Sequence, residues 1–134
     1  MKPDESLYWK DWFRIGAKDF ARVQRCLNAN DLEDAAFHLQ QSLEKYLKGF
    51  LLFRNWRLQR HHNVIELPKE AVKHVPELAE FRELCQEVSQ YYTLERYPLF
   101  VDLHLDTKEL RAAIAKSKEM IALLKRSVPK VKPK

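Results

Sequence analysis

Glycine is nearly absent from this sequence, since only Gly16 and Gly49 occur among 134 residues. Both lie in stretches of helical periodicity, and no stretch shows the alternation and glycine-bearing turns typical of β-strands. Without glycine-rich loops, backbone amides cannot hold a phosphate as they do in P-loop and dinucleotide-binding folds. The sequence also lacks HExxH, GxSxG and any spaced set of cysteines and histidines. We therefore expect neither a metal nor a cofactor.

Long hydrophobic runs are missing as well. No apolar run approaches the roughly 18 residues that a membrane span needs. Lys10, Asp11 and Arg14 interrupt the first apolar stretch, so no signal peptide is expected. The two cysteines, Cys26 and Cys85, lie far apart, which is typical of reduced, packed thiols. These features favour a cytoplasmic protein without membrane contact.

The positive charge is confined to one end of the chain. The formal net charge is +5, and residues 125–134 hold five basic residues and no acid. The remainder has 19 basic and 19 acidic residues and is neutral. Net charge is therefore a weak argument for nucleic-acid binding. We expect residues 1–125 to form one domain and residues 126–134 a basic, disordered tail.

Helical periodicity covers most of the sequence. Long helices are expected at about 4–29, from Asn30 or Asp31 to about 56, at 76–96, and after the N-cap Thr107. A short element near 63–74 is expected to be interrupted by Pro68. The fold class predicted is all-α: an up-and-down antiparallel bundle of four long helices plus one short helix.

The second helix has two distinct faces. Its apolar stripe spans an arc of about 120° and contains Ala36, Leu39, Leu43, Tyr46, Leu47, Phe50 and Phe53. On the opposite side, a polar row follows at i, i+3, i+7 and i+10, with Glu44 at its edge. The row consists of His38, Gln41, Lys45 and Lys48. The stripe predicts a core helix, whereas the row alone does not identify a function.

A basic cluster occupies residues 54–62. Arg54 and Arg57, with Trp56 between them, suit phosphate contact combined with stacking on a base. The same arginines could instead satisfy the last carbonyl groups and the dipole of a helix end. Arg96, near the end of the fourth helix, allows the same two interpretations.

Three segments, taken in order, resemble the HEPN family. They are residues 37–48 (FHLQQSLEKYLK), 62–67 (HNVIEL) and 96–98 (RYP). The resemblance spans about residues 8–125 and implies a five-helix, up-and-down bundle that forms a homodimer. It also implies pairing with a minimal nucleotidyltransferase in a two-gene system of the toxin–antitoxin kind, and a nucleotide or RNA ligand.

On this resemblance, we expect a set of polar residues to contact a nucleotide or nucleic-acid phosphate. They are Lys45, Lys48, His62, Arg96 and Tyr97. The lysines would act as mobile point charges and Arg96 as a rigid fork, while Tyr97 would stack on a base or close the end of the bundle. The structural alternative for the lysines is a solvated face with a Glu44–Lys48 pair.

Many members of the family that this chain resembles are metal-independent ribonucleases. They use an arginine and a histidine four to six residues later, which serve as phosphorane stabiliser and general acid or base. Here Arg96 is followed by Tyr97 and Pro98, and the next histidine is His104. Arg57 and His62 have the spacing but lie in the wrong element. The sequence leans away from an enzyme, with Arg96 and His104 as weak catalytic candidates; a ribonuclease toxin and a dimeric scaffold without ligand remain the alternatives.

Overall fold

The computed structural model describes residues 8–57, 63–96 and 105–129, except for the side chains of residues 92–96. The α-helices are α1 (Trp9–Asn28), α2 (Leu32–Phe53), α3 (Glu66–Ala71), α4 (Arg82–Arg96) and α5 (Thr107–Arg126), with a 3-10 helix at Pro76–Phe81 before α4. No strand occurs in these described ranges. The predicted all-α bundle of four long helices and one short helix is confirmed.

The second helix is the centre of the bundle. α1, α3, α4 and α5 all pack against α2. No residue of 34–53 is exposed, although that range includes the whole polar row. Its apolar stripe joins the main core, where Leu39, Leu43 and Phe50 are fully buried. The polar row therefore lies among packed helices rather than on an open, solvated face.

The two N-terminal helices run antiparallel. At one end the ring centroids of Trp9 and Phe53 are 5.3 Å apart, and towards the other end Asp19 lies beside His38. This orientation brings α1 against the long side of α2, with the largest shared contact in the fold.

Both glycines lie where α1 and α2 approach most closely. A Cβ atom on Gly16 would lie 2.9 Å from Cδ2 of Tyr46, and the Ser42 hydroxyl donates a 2.8 Å hydrogen bond to the Gly16 carbonyl. Gly49 faces Phe13 in the same way. A side chain at either position would push the helices apart, so the scarce glycines serve helix packing here.

The boundaries of the first two helices are tighter than predicted. α1 begins at Trp9, because Tyr8 has an extended backbone (φ −96°, ψ 114°), while residues 4–7 lie outside the described range. Asp31 is the N-cap of α2, and its side chain accepts a hydrogen bond from the Asp34 amide. α2 ends at Phe53 rather than near 56, and Arg54 is its C-cap.

Two predictions around prolines were wrong. Pro68 does not interrupt α3 but lies within its first turn, where proline is tolerated. The α3 start is instead set by Asn63, whose side chain accepts hydrogen bonds from the amides of Ile65 (2.9 Å) and Glu66 (3.3 Å). Pro76 begins a 3-10 helix, and α4 starts only at Arg82.

The N-cap of α5 is Asp106 and not Thr107. The Asp106 carboxylate accepts a 2.7 Å hydrogen bond from the Lys108 amide, whereas Thr107 is the first helical residue. At the other end α5 continues through Arg126, and Val128 packs against the core. Residues 130–134 of the predicted tail lie outside the described range. In the described part of the chain, no helix has the length and apolarity to cross a membrane.

Candidate functional site

A buried carboxylate, Asp19 on α1, organises the polar contacts between α1 and α2. Asp19 is only 2% exposed and accepts a 2.8 Å hydrogen bond from Nη1 of Arg22. Its second oxygen accepts a hydrogen bond from Nζ of Lys45, which extends from α2. Nδ1 of His38 lies 3.3 Å from the first oxygen, is not aligned for a hydrogen bond, and has no other partner in the described part of the chain. We call these four residues the Asp19 cluster.

A second polar network follows along α2. Glu44 accepts hydrogen bonds from Nε2 of Gln40 at 2.8 Å and pairs with Nζ of Lys48 at 3.0 Å. Gln41 donates to the Gln40 side-chain oxygen at 2.6 Å. The Lys48 ammonium also lies 5.3 Å from the ring centroid of the buried Trp12 on α1. Lys48 is therefore held by a carboxylate on α2 and an aromatic face on α1.

The two networks together carry a surplus of positive charge. Their cations are Arg22, Lys45 and Lys48, and their carboxylates are Asp19 and Glu44, so the formal sum is +1 with His38 neutral. Each lysine ammonium has three donors, and its carboxylate partner occupies one of them. The side chains of Lys45 and Lys48 are 24% and 15% exposed. Their spare donors at a half-buried position can bind an anion more strongly than fully solvated lysines would.

Only two of the predicted site residues can be compared in space. Lys45 and Lys48 both lie where α2 meets α1. Arg96 is the last residue of α4, and its side chain is outside the described part. His62, Tyr97 and His104 lie outside the described residues. The predicted roles of these residues stay predictions.

The basic cluster at the end of α2 has a structural explanation for Arg54. Arg54 is the C-cap of α2 and donates from Nε to Nδ1 of His74 at 3.3 Å. Its position after the last helical residue keeps it exposed and out of the core. Arg57 is also exposed, beyond the helix end. In the ranges that the structure describes, no group of three or more His, Cys, Asp or Glu side chains could hold a metal ion.

Buried titratable groups elsewhere in the core are held in their neutral forms. Burial raises the pKa of Cys85 to about 12, and burial likewise raises the pKa of Tyr46 to about 12. The Cys85 thiol lies 3.9 Å from the sulfur of Met120 in the interior. A thiol that stays protonated at neutral pH is not a nucleophile, so Cys85 is a packing residue.

Sequence reasoning missed Asp19. A signal for it existed, because Asp19 lies seven residues after Trp12 and three after Gly16, on the buried side of α1. A carboxylate at such a position needs a cationic partner on the neighbouring helix. The polar row of α2, which contains Lys45 seven residues after His38, supplies that partner.

Of the comparisons with known proteins, the one with protein families gives a match, and it agrees with the fold. No curated protein and no solved structure gives a significant match. The family model of the HEPN domain matches residues 9–127, from the first residue of α1 to just beyond the end of α5. The match covers nearly the whole chain and each of the helices described above. The chain therefore belongs to the HEPN domain family, a family of nucleotide- and RNA-related modules.

Proposed function

We propose that this HEPN domain binds the phosphate of a nucleotide or of RNA beside α2. The binding residues are Lys45, Lys48, His62, Arg96 and Tyr97. The domain would act in the cytoplasm as a homodimer, paired with a minimal nucleotidyltransferase in a two-gene toxin–antitoxin system. The observation that carries the proposal is the net positive charge of the Asp19 cluster and the Glu44 network, in a family of nucleotide- and RNA-related modules.

The ion pairs support this role because they position the lysines. Asp19 fixes the Lys45 ammonium at the contact between α1 and α2, and Glu44 together with Trp12 fixes Lys48. A lysine that is already ordered loses less conformational entropy when a phosphate arrives. The remaining donors of each ammonium are then available to phosphate oxygens.

Calorimetry with ATP, GTP and a short RNA tests the proposal. The informative variant is Lys45→Gln/Lys48→Gln, because a glutamine amide can still donate to Asp19 or Glu44 while its charge is lost. We expect at least about tenfold weaker binding of whichever ligand the wild type binds, since charge-assisted contacts to phosphate are the strong ones.

The matched control is Lys73→Gln/Lys116→Gln. These lysines also pair with glutamates, Glu70 at 3.1 Å and Glu80 at 3.0 Å, but lie away from the Asp19 cluster. The control removes the same charge and should bind as the wild type does. Equal losses in the two double variants, or no binding by the wild type, would overturn the proposed site.

A dimeric scaffold without ligand is the second candidate function. The observation that favours it is that Lys45 and Lys48 already have carboxylate partners within the chain. In that case all three ligands fail to bind in the calorimeter. Co-expression with a small nucleotidyltransferase encoded next to this chain then separates the partner proposal from the ligand proposal, because a stable complex would form without nucleotide.

Ribonuclease activity is not part of the proposal, because no histidine follows Arg96 at the family spacing. Purified protein incubated with RNA in a chelator should leave the RNA intact at every protein concentration. Cleavage that disappears in His104→Ala or in His62→Ala would contradict this expectation and identify the histidine responsible.

A further inference from the structure

A shallow groove between α1 and α5 is lined by cations and contains no acid. Its volume is about 150 Å³, and its lining residues are Gln24, Leu27, Arg111, Ile114, Ala115 and Lys118. Leu27 and Ile114 form a buried floor, while Arg111 and Lys118 are exposed. A water molecule occupies about 30 Å³ of the liquid, so the groove has room for a hydrated phosphate group.

The positive edge of this groove continues along α5. Arg111, Lys118 and Lys125 follow one another at intervals of seven residues, which places them on one side of the helix about 10.5 Å apart. The Lys125 ammonium lies 5.7 Å from the ring centroid of Tyr46, whose ring packs on Gly16 of α1. Arg111 and Lys118 therefore border α1 near Gln24 and Leu27, and Lys125 continues the row beside Tyr46 of α2.

Small residues lie near the cations on both helices. On α5 they are Ala115 and Ala122, which lie one turn beyond Arg111 and Lys118. On α1 they are Ala17 and Ala21, both exposed and on the same side of the helix as Gln24.

These cations have no acidic partner among the described residues, although Lys125 lies over the ring of Tyr46. Arg111, Lys118 and Lys125 form no ion pair in that part of the chain, in contrast to Lys116 on the same helix, which pairs with Glu80. The two acids of α5 point elsewhere, since Glu119 lies 4.0 Å from Lys116 and Glu109 acts on Tyr91 of α4. The row of unpaired cations is thus complementary to a row of negative charges.

We infer that the α1–α5 groove binds the phosphate backbone of a single-stranded RNA. No aromatic ring lines the groove, so it offers contacts to phosphates rather than stacking for bases, and recognition should be independent of sequence. The inference depends on the proposed function for its class of ligand, but it concerns a different surface from the Asp19 cluster. One strand could contact both surfaces.

Fluorescence anisotropy with a labelled oligouridine RNA, long enough to span the three cations, tests the inference over a range of salt concentrations. The test variant is Arg111→Ala/Lys118→Ala. At low salt we expect about tenfold weaker binding. The slope of log K against log salt should fall by about 1.4, because each phosphate contact with a single strand contributes about 0.7.

The matched control is Lys69→Ala/Arg82→Ala, which also removes one lysine and one arginine. Both residues are exposed and without an ion pair in the described ranges, and they line a different cavity, between α3 and α4. The control should bind RNA within about twofold of the wild type, since only the non-local charge changes. Equal losses in the two variants, or no RNA binding by the wild type at low salt, would overturn the inference. The effect of the Lys45→Gln/Lys48→Gln variant on calorimetric binding of ATP, GTP or the short RNA decides the proposed function separately.

Discussion

Gly49 on α2 lies directly against the ring of Phe13 on α1, so that a Cβ atom on Gly49 would be only 2.6 Å from Cδ1 of Phe13. The same Cβ would lie 3.0 Å from the backbone carbonyl oxygen of Trp9, which cannot move without moving α1. Phe13 is itself buried, with 4% of its surface exposed. The separation of the two helices is therefore set by the missing side chain.

Gly49→Ala should destabilise the domain although alanine is the better helix former. The gain in helix propensity is about 1 kcal/mol, and overpacking a tight contact costs about 1–3 kcal/mol. We expect a net loss of about 1 kcal/mol in the free energy of unfolding, measured by urea denaturation. Gly16→Ala, whose new Cβ has side-chain atoms of Tyr46 as its nearest neighbours, should lose less. A Gly49→Ala variant as stable as the wild type would show that α1 can shift freely.

Asp19→Asn should reduce stability far more than Asp11→Asn. Both aspartates lie on α1 and pair with an arginine three residues later, but Asp19 is 2% exposed and Asp11 is 29% exposed. Loss of the buried charge leaves Lys45 without its carboxylate, at a cost of about 2–4 kcal/mol. The more exposed pair is worth at most about 1 kcal/mol. Chemical denaturation of both variants checks this, and similar losses would contradict a central role for Asp19.

Asp106→Ala and Thr107→Ala distinguish the observed cap of α5 from the predicted one. The Asp106 variant removes the acceptor of the Lys108 amide and should cost about 1 kcal/mol. Thr107→Ala places a good helix former at the first helical position and should be neutral or slightly stabilising. Thermal unfolding of the two variants gives the comparison, and a larger loss for Thr107→Ala would reverse the assignment.

Alkaline pH should destabilise the protein through Cys85. The folded pKa is raised from 9.0 to about 12 by burial, so the folded chain keeps a proton that the unfolded chain loses. The contribution of the Cys85 thiol to the free energy of unfolding is fully present below pH 9. It is lost as the pH rises towards about 12, at up to about 1.4 kcal/mol per pH unit. In Cys85→Ala, the free energy of unfolding from denaturation curves should fall less steeply with pH than in the wild type. The window is pH 9 to 10, before the titration of Tyr46 begins to lower stability as well.

The control for this titration is Cys26→Ala. Burial, followed by Asp34 and Asp31, raises the pKa of Cys26, but this thiol is only partly covered. We expect a smaller flattening in that variant. A Cys85→Ala curve parallel to that of the wild type throughout the window would refute the assignment.

The bundle could be predicted because it depends on periodicity, which is written directly in the sequence. The stripe from Ala36 to Phe53 indicated a core helix, and the structure places α2 at the centre. Helix ends depend instead on competition between neighbouring groups. Asp106 and Thr107 are both suitable caps, and only the backbone geometry selects Asp106. Pro68 likewise fits because α3 begins two residues before it.

The candidate site could be predicted only in part, because partners across helices are not visible in one sequence. Lys45 and Lys48 were correctly placed on one polar row, but the row was taken to face away from the core stripe. The structure shows that α1 covers it and that Asp19 neutralises Lys45. Which helix faces which residue is decided by tertiary packing, and Gly16 and Gly49 set that packing for α1 and α2.

The enclosure of α2 by its neighbours determines how the domain exchanges its amide protons. Because no residue of 34–53 is exposed, we expect the amides of this helix to reach water when the whole domain opens rather than by local fraying. The slowest deuterium uptake should therefore occur along α2 and report the global free energy of unfolding. Any ligand that binds only the folded domain will slow uptake throughout α2, wherever on the surface it docks.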